Sequence, residues 1–193
     1  DNGDIQAGLA VSWEAIDDTT WEFKLREGVK FHNGEDFNAD DVKFSLERIM
    51  NAAEGSGPRK QYSGWFDSVE VIDPYTVRIK TQTIFPVVLG NIARQHTIMP
   101  KDYVEDVGDE EAGKNPVGTG PFKFVEWNVN ESVVLEPNDD YWGGRPAVDQ
   151  LVFRVIPDET TRVAEMLTGG VDILLQVPPA SIGELSDSGI QVL

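Results

Sequence analysis

The chain has 193 residues, 40% of them hydrophobic, no cysteine and a formal net charge of −18. That length and apolar share support one sizeable domain or two small lobes. The charge excludes nucleic acid and anionic membrane surfaces as partners, because both reward Lys and Arg, and the missing cysteines exclude disulfides, thiolate nucleophiles and cysteine-based zinc sites.

In TWEFKLREGVKF, Trp21, Phe23 and Leu25 alternate with Glu22, Lys24 and Arg26, the period of two that marks a half-buried strand. Val29 and Phe31 continue the pattern, and Asn33-Gly34 is a tight-turn pair. Asn38 followed by Asp41 reads as a helix N-cap with an acidic third position. Val42, Leu46, Ile49 and Met50 recur at helical spacing, so 39–51 is an amphipathic helix. The composition of AAEGSGPRKQ marks a loop. In SVEVIDPYTVRIKT, two alternating runs flank Asp73-Pro74, a hairpin. Pro86 starts a short helix through about Ala93, HTIMP reads as a short strand, and DYVEDVGDEEAGK as a short acidic helix.

After NPVGTGPF the patterning changes. PFKFVEW and SVVLEP are two strands about a turn, and LVFRVIP is a nearly continuous apolar strand. Asp158 caps a helix carrying Val163, Met166 and Leu167, and VDILLQV reads as a second buried strand. Strand, helix, strand over this distance is a crossover unit, so residues 151–156 and 171–175 are expected to pair in parallel. No apolar run reaches the roughly 18 residues of a membrane span. The chain opens on Asp1 and stops at GIQVL, in mid-strand by pattern, which is expected of an internal piece.

The chemistry-bearing motifs are few. Gly113 and Gly118 have the spacing of a phosphate loop, but Thr119-Gly120 follows where Lys-Ser/Thr is needed. Phe122, Phe124 and Trp127 read as strand, so no helix N-terminus is available for a phosphate. Gly118 and Gly120 are therefore expected to supply unusual backbone angles at a corner. Asp139-Asp140 and Asp158-Glu159 are adjacent pairs whose side chains diverge, better suited to turns and caps than to acid–base work. His32 and His96 are far apart in sequence and make no metal motif. Tyr141 and Trp142 either stack on a ligand or pin their loop to the body, and pinning is the simpler expectation. Tyr62, Trp65 and Phe66 pose the same choice. Arg94 either meets a carboxylate or serves the dipole at its helix end.

Three blocks, LAVSWEAIDDTTWEFKLREGVKFHNGEDFNADDVKFSLERI, NPVGTGPFKFVEW and NDDYWGGRPAVDQLVFRVIPDETTRVAEMLTGGVDIL, together resemble the family 5 extracellular solute-binding proteins. These are the dipeptide, oligopeptide and nickel receptors of ABC importers. The resemblance runs over nearly the whole chain, in the family's order, but members are far longer. It implies a mixed α/β fold, periplasmic-binding-protein-like of type II, of which this chain is part of the first lobe only. Residues 1–116 would be the hairpin-rich extra sub-domain and 117–193 part of the main sheet, with GTGP as the corner between them.

The resemblance further implies a non-enzymatic, monomeric receptor in the periplasm or outside the cell, with or without a lipid anchor in its full-length form. It would close two lobes on a di- or oligopeptide and deliver it to a membrane permease, with no cofactor or resident metal. A nickel or other metal-chelate receptor is the alternative within the family. An acid-pair glycosidase is the alternative from another class, and it would need two carboxyls about 5–10 Å apart across a cleft. By rough position, ARQHTIMP resembles the segment bordering the ligand in nickel-type members. Arg94 and His96 are thus the expected ligand-binding residues, with Tyr62 and Trp65 behind them.

Overall fold

The alternation in TWEFKL builds the middle of a four-stranded antiparallel sheet. In the computed structural model, which describes residues 4–52 and 64–192, β1 (Ala10–Ala15) pairs with β2 (Thr20–Leu25). The other two strands are β3 (Phe66–Asp73) and β4 (Thr76–Thr81), and the order is β1-β2-β4-β3. Register sets Phe23 opposite Val77 and Trp21 opposite Ile79. Phe23, Leu25, Val69, Val77 and Ile79 are buried as one apolar face. On the other face Glu22 binds Lys24 at 3.0 Å and Arg78 at 2.9 Å. At the hairpin tip Asp73 Oδ1 accepts the Tyr75 N–H at 2.8 Å, the local bond that suits Asp to turns.

Helix α1 (Ala39–Met50) starts where Asn38 and Asp41 require it. Asn38 Oδ1 accepts the Asp40 N–H at 2.7 Å and Asp41 Oδ2 accepts the Asn38 N–H at 2.9 Å, a reciprocal capping box. Its inner face carries Val42 and Leu46 into the core and packs against β3. The same face is partly polar. Asp41 Oδ1 accepts the Lys101 N–H at 2.9 Å and Ser45 Oγ accepts the Met99 N–H at 2.9 Å. These bonds explain why HTIMP is not a strand: its backbone is satisfied by a helix side chain and not by a neighbouring strand.

Helices α2 (Val88–Gln95), α3 (Lys101–Val107) and α4 (Asp109–Lys114) follow, then the corner at 115–121. Gly118 and Gly120 do not have the unusual angles expected of them. Neither is among the positive-φ glycines, and an added Cβ would find open space at Gly120 and an ordinary 3.7 Å contact with His32 at Gly118. The corner is instead held by hydrogen bonds from His32 and Asn138.

Beyond it a second sheet has the order β5-β6-β7, from β5 (Phe122–Asn128), β6 (Ser132–Pro137) and β7 (Leu151–Arg154). Helix α5 (Glu159–Leu167) is capped by Asp158 as its sequence requires, and α6 (Ile182–Asp187) closes the described chain. The strand expected over 171–175 is absent, and with it the parallel pair; Ile173 and Leu175 are 75% and 69% exposed. A strand needs a hydrogen-bonded neighbour, and among the described residues this apolar run has none. The chain divides into two compact units, residues 1–125 with 135–151, and residues 126–134 with 152–193.

Candidate functional site

The α1 bonds to Met99 and Lys101 fix the stretch leaving α2, and so fix His96 at its C-cap. Trp65 immediately precedes β3 and is only 6% exposed. It stacks on Phe85 at 5.1 Å and 11°, and meets Phe66 and His96 edge-on at 5.8 and 6.0 Å. Its indole Nε1 is buried with no hydrogen-bond partner among the described residues. His96 Nδ1 lies 3.3 Å from the Asn91 carbonyl, an acceptor, so Nδ1 carries the proton. Burial pushes the His96 imidazole down from its usual range, and hydrogen bonds to Asn91 and Ile92 oppose that only in part.

Of the four residues expected to bind ligand, Trp65 and His96 are thus brought into contact. Arg94 lies two residues before His96, in the last turn of α2, exposed and without a carboxylate partner among the described residues. Tyr62 lies outside the described residues. Val87, Asn91 and Arg94 are spaced to share one face of α2. Val87 and the preceding Ile84 are 58% and 65% exposed, so this face runs from an apolar end to a cationic end over about 10 Å. Beneath α2 lies an apolar cavity of about 280 Å³, walled by Trp13, Phe23, Leu46, Ile92, His96 and Ile98 among others. Phe85 escaped the sequence analysis; only its place between a Pro-led helix and the hairpin hinted at it.

The remaining motifs have structural duties. Trp142 packs on the core with the Arg26 guanidinium 4.3 Å above its ring, so it pins its loop. Arg145 closes that loop by binding Asp139 at 2.8 Å and Asp149 at 2.7 Å. Asp158 accepts two bonds from Thr161 and Glu159 faces Arg162 at 3.8 Å. Among the described residues, no three His, Asp or Glu side chains form a group that could hold a metal ion.

The described fold is an antiparallel four-stranded sheet packed against α1, together with a second, three-stranded sheet. The model of the bacterial extracellular solute-binding proteins, family 5, matches residues 4–192, and the chain belongs to that family. It is 35% identical to heme-binding protein A of Haemophilus influenzae, over 98% of this chain and 39% of that protein. Among solved structures it is similar to DppA of Helicobacter pylori in complex with the peptide STSA, at 32% identity and a TM-score of 0.83, covering 96% of this chain and 40% of that one. It is also similar to AppA of Bacillus subtilis in complex with a nonapeptide, at 30% identity and a TM-score of 0.84, covering 95% and 38%. The chain therefore spans about two-fifths of the length of these relatives and has their periplasmic-binding-protein-like fold. The family is one of extracellular solute-binding proteins, which places the chain in the periplasm or outside the cell. No helix among the described residues is long and apolar enough to cross a membrane.

Proposed function

We propose that this chain is the ligand-facing part of one lobe of a peptide receptor serving an ABC permease. The observation that carries the reading is Arg94: an exposed cation with no partner among the described residues, two residues before the His96 that meets Trp65 edge-on, in a protein of net charge −18. A peptide offers what this face complements, a carboxylate for Arg94 and apolar side chains for Ile84 and Val87. The peptides bound by the DppA and AppA relatives support the same class. Tyr62 and His96 belong to this reading as bordering residues. The lobe assignment does too, with 1–116 as the extra sub-domain and 117–193 as part of the main sheet; the two separate sheets on either side of the corner support it.

Calorimetry with a peptide pool tests the proposal, on this chain and on the longer protein carrying both lobes. This chain should bind at roughly millimolar strength or weaker, because a two-lobed receptor divides its contacts and excludes water only on closing. The longer protein should bind far more tightly. In it, Arg94→Ala should weaken binding about tenfold or more, the loss of one charge-assisted bond of roughly 1.5–3 kcal/mol. Micromolar binding by this chain alone would refute the two-lobe reading. Unchanged affinity in Arg94→Ala would remove Arg94 from the site.

A further inference from the structure

His32 ties two motifs that are distant in sequence, the HNG turn and the GTGP corner. Its backbone N–H donates to the Gly118 carbonyl at 2.9 Å. Its ring then grips the same corner from both nitrogens. Nδ1 lies 3.3 Å from the Gly118 amide nitrogen, and Nε2 lies 3.0 Å from the Gly120 carbonyl oxygen. A backbone N–H can only donate and a carbonyl can only accept. Nδ1 must therefore be bare and Nε2 must carry the proton, so the two bonds together admit one form of the ring, the neutral Nε2–H tautomer.

We propose that His32 is a pH-sensitive lock: its neutral ring fastens the 115–121 corner to the 32–35 turn, and protonation at Nδ1 breaks the Gly118 bond and loosens the corner. The added proton would face the Gly118 N–H, donor against donor, and the partly buried amide would lose its acceptor. The Gly120 bond survives, since Nε2–H still donates. The corner is thus half released, and Asn138, whose Nδ2 donates to the same Gly120 carbonyl at 3.1 Å, keeps the other half in place.

The charged groups around the ring favour the locked form. The corner segment NPVGTGP holds no ionisable side chain. On β5, Lys123 acts on the ring by its positive charge and opposes a second cation. On the ring's own turn the two carboxylates are engaged elsewhere, Glu35 with Asn33 at 2.7 Å and Asp36 with Lys30 at 2.6 Å. Burial is the larger influence and pushes the imidazole down in the same direction as Lys123, while the Gly120 bond pulls it up. A ring that resists protonation when folded contributes stability above its unfolded value of about 6.5, and that contribution is lost as pH falls through the lower folded value. The lock is therefore closed at neutral pH and opens on acidification.

Heteronuclear NMR of this chain, following the histidine rings and the Gly118 amide from about pH 8 to about pH 5, tests the lock. The expected result is a His32 ring in the Nε2–H form at the upper end, a midpoint below about 6.5, and a Gly118 amide signal that shifts with that same midpoint. Lys123→Gln should raise the His32 midpoint and leave that of His96 unmoved. His32→Gln keeps a donor and an acceptor but cannot titrate, so the Gly118 step should vanish. A ring in the Nδ1–H form would overturn the proposal. So would a Gly118 amide that ignores the His32 titration, or a Gly118 step that persists in His32→Gln.

Discussion

Gly120 shows how a residue can matter through its carbonyl and not through its missing side chain. Its backbone lies outside the left-handed region and a Cβ would enter open space, yet its carbonyl accepts bonds from His32 and Asn138. Gly34 is the opposite case: φ is +93° in the HNG turn, where an L side chain is strained. Gly120→Ala should therefore leave unfolding free energy unchanged or raise it by about 0.4–1 kcal/mol, through the unfolded state. Gly34→Ala should lower it by about 1 kcal/mol or more. Denaturant midpoints of the two variants check the contrast; a Gly120→Ala loss as large as that of Gly34→Ala would restore the glycine-angle account of the corner.

At the scale of elements, α1 carries more than its apolar face. Asp41 is 5% exposed, and burial pushes its carboxyl up despite the N–H donors of Lys101 and Asn38. Asp41→Ala would strip both the N-cap amide of Asn38 and the first amide of α3 of their acceptor. Each orphaned, partly buried donor costs about 1–3 kcal/mol, so a loss of roughly 2–6 kcal/mol is expected in chemical denaturation. A change under about 0.5 kcal/mol would mean water replaces the carboxylate. The Asn38–Asp41 cap was legible in the sequence because a capping box is local, three residues apart. The period-two strands and the 73–76 turn were legible for the same reason. What local pattern could not give was pairing at a distance: Ser45 with Met99, Trp65 with His96, His32 with the corner. The 171–175 run failed as a strand on the same ground, since an apolar pattern states a need for a neighbour but cannot supply one. For the candidate site, residue types were readable, while the stacking of Phe85 on Trp65 and the burial of that indole were not.

On the scale of the whole molecule, burial is unevenly shared. In the unit of 1–125 with 135–151, one cluster joins Phe23, Val29, Phe37, Leu46, Trp65, Val77 and Ile79. In the unit of 126–134 with 152–193, the buried hydrophobics among the described residues are Val163 and Leu185, while Val155, Ile173 and Leu175 are half or more exposed. Opening free energy follows buried apolar contacts, so the two units should not open together. Amides of β2 and β4 should exchange only on global unfolding. Those of α5 should exchange at least tenfold faster after correction for intrinsic rates, an opening free energy lower by about 1.4 kcal/mol or more. In the longer protein, with the rest of the chain available to cover Ile173 and Leu175, α5 should gain protection while β2 and β4 change little. Hydrogen exchange read by mass spectrometry on both proteins decides it. Equal protection of α5 and β4 in this chain would show that the second unit is complete as it stands, and that its exposed apolar run has no neighbour to await.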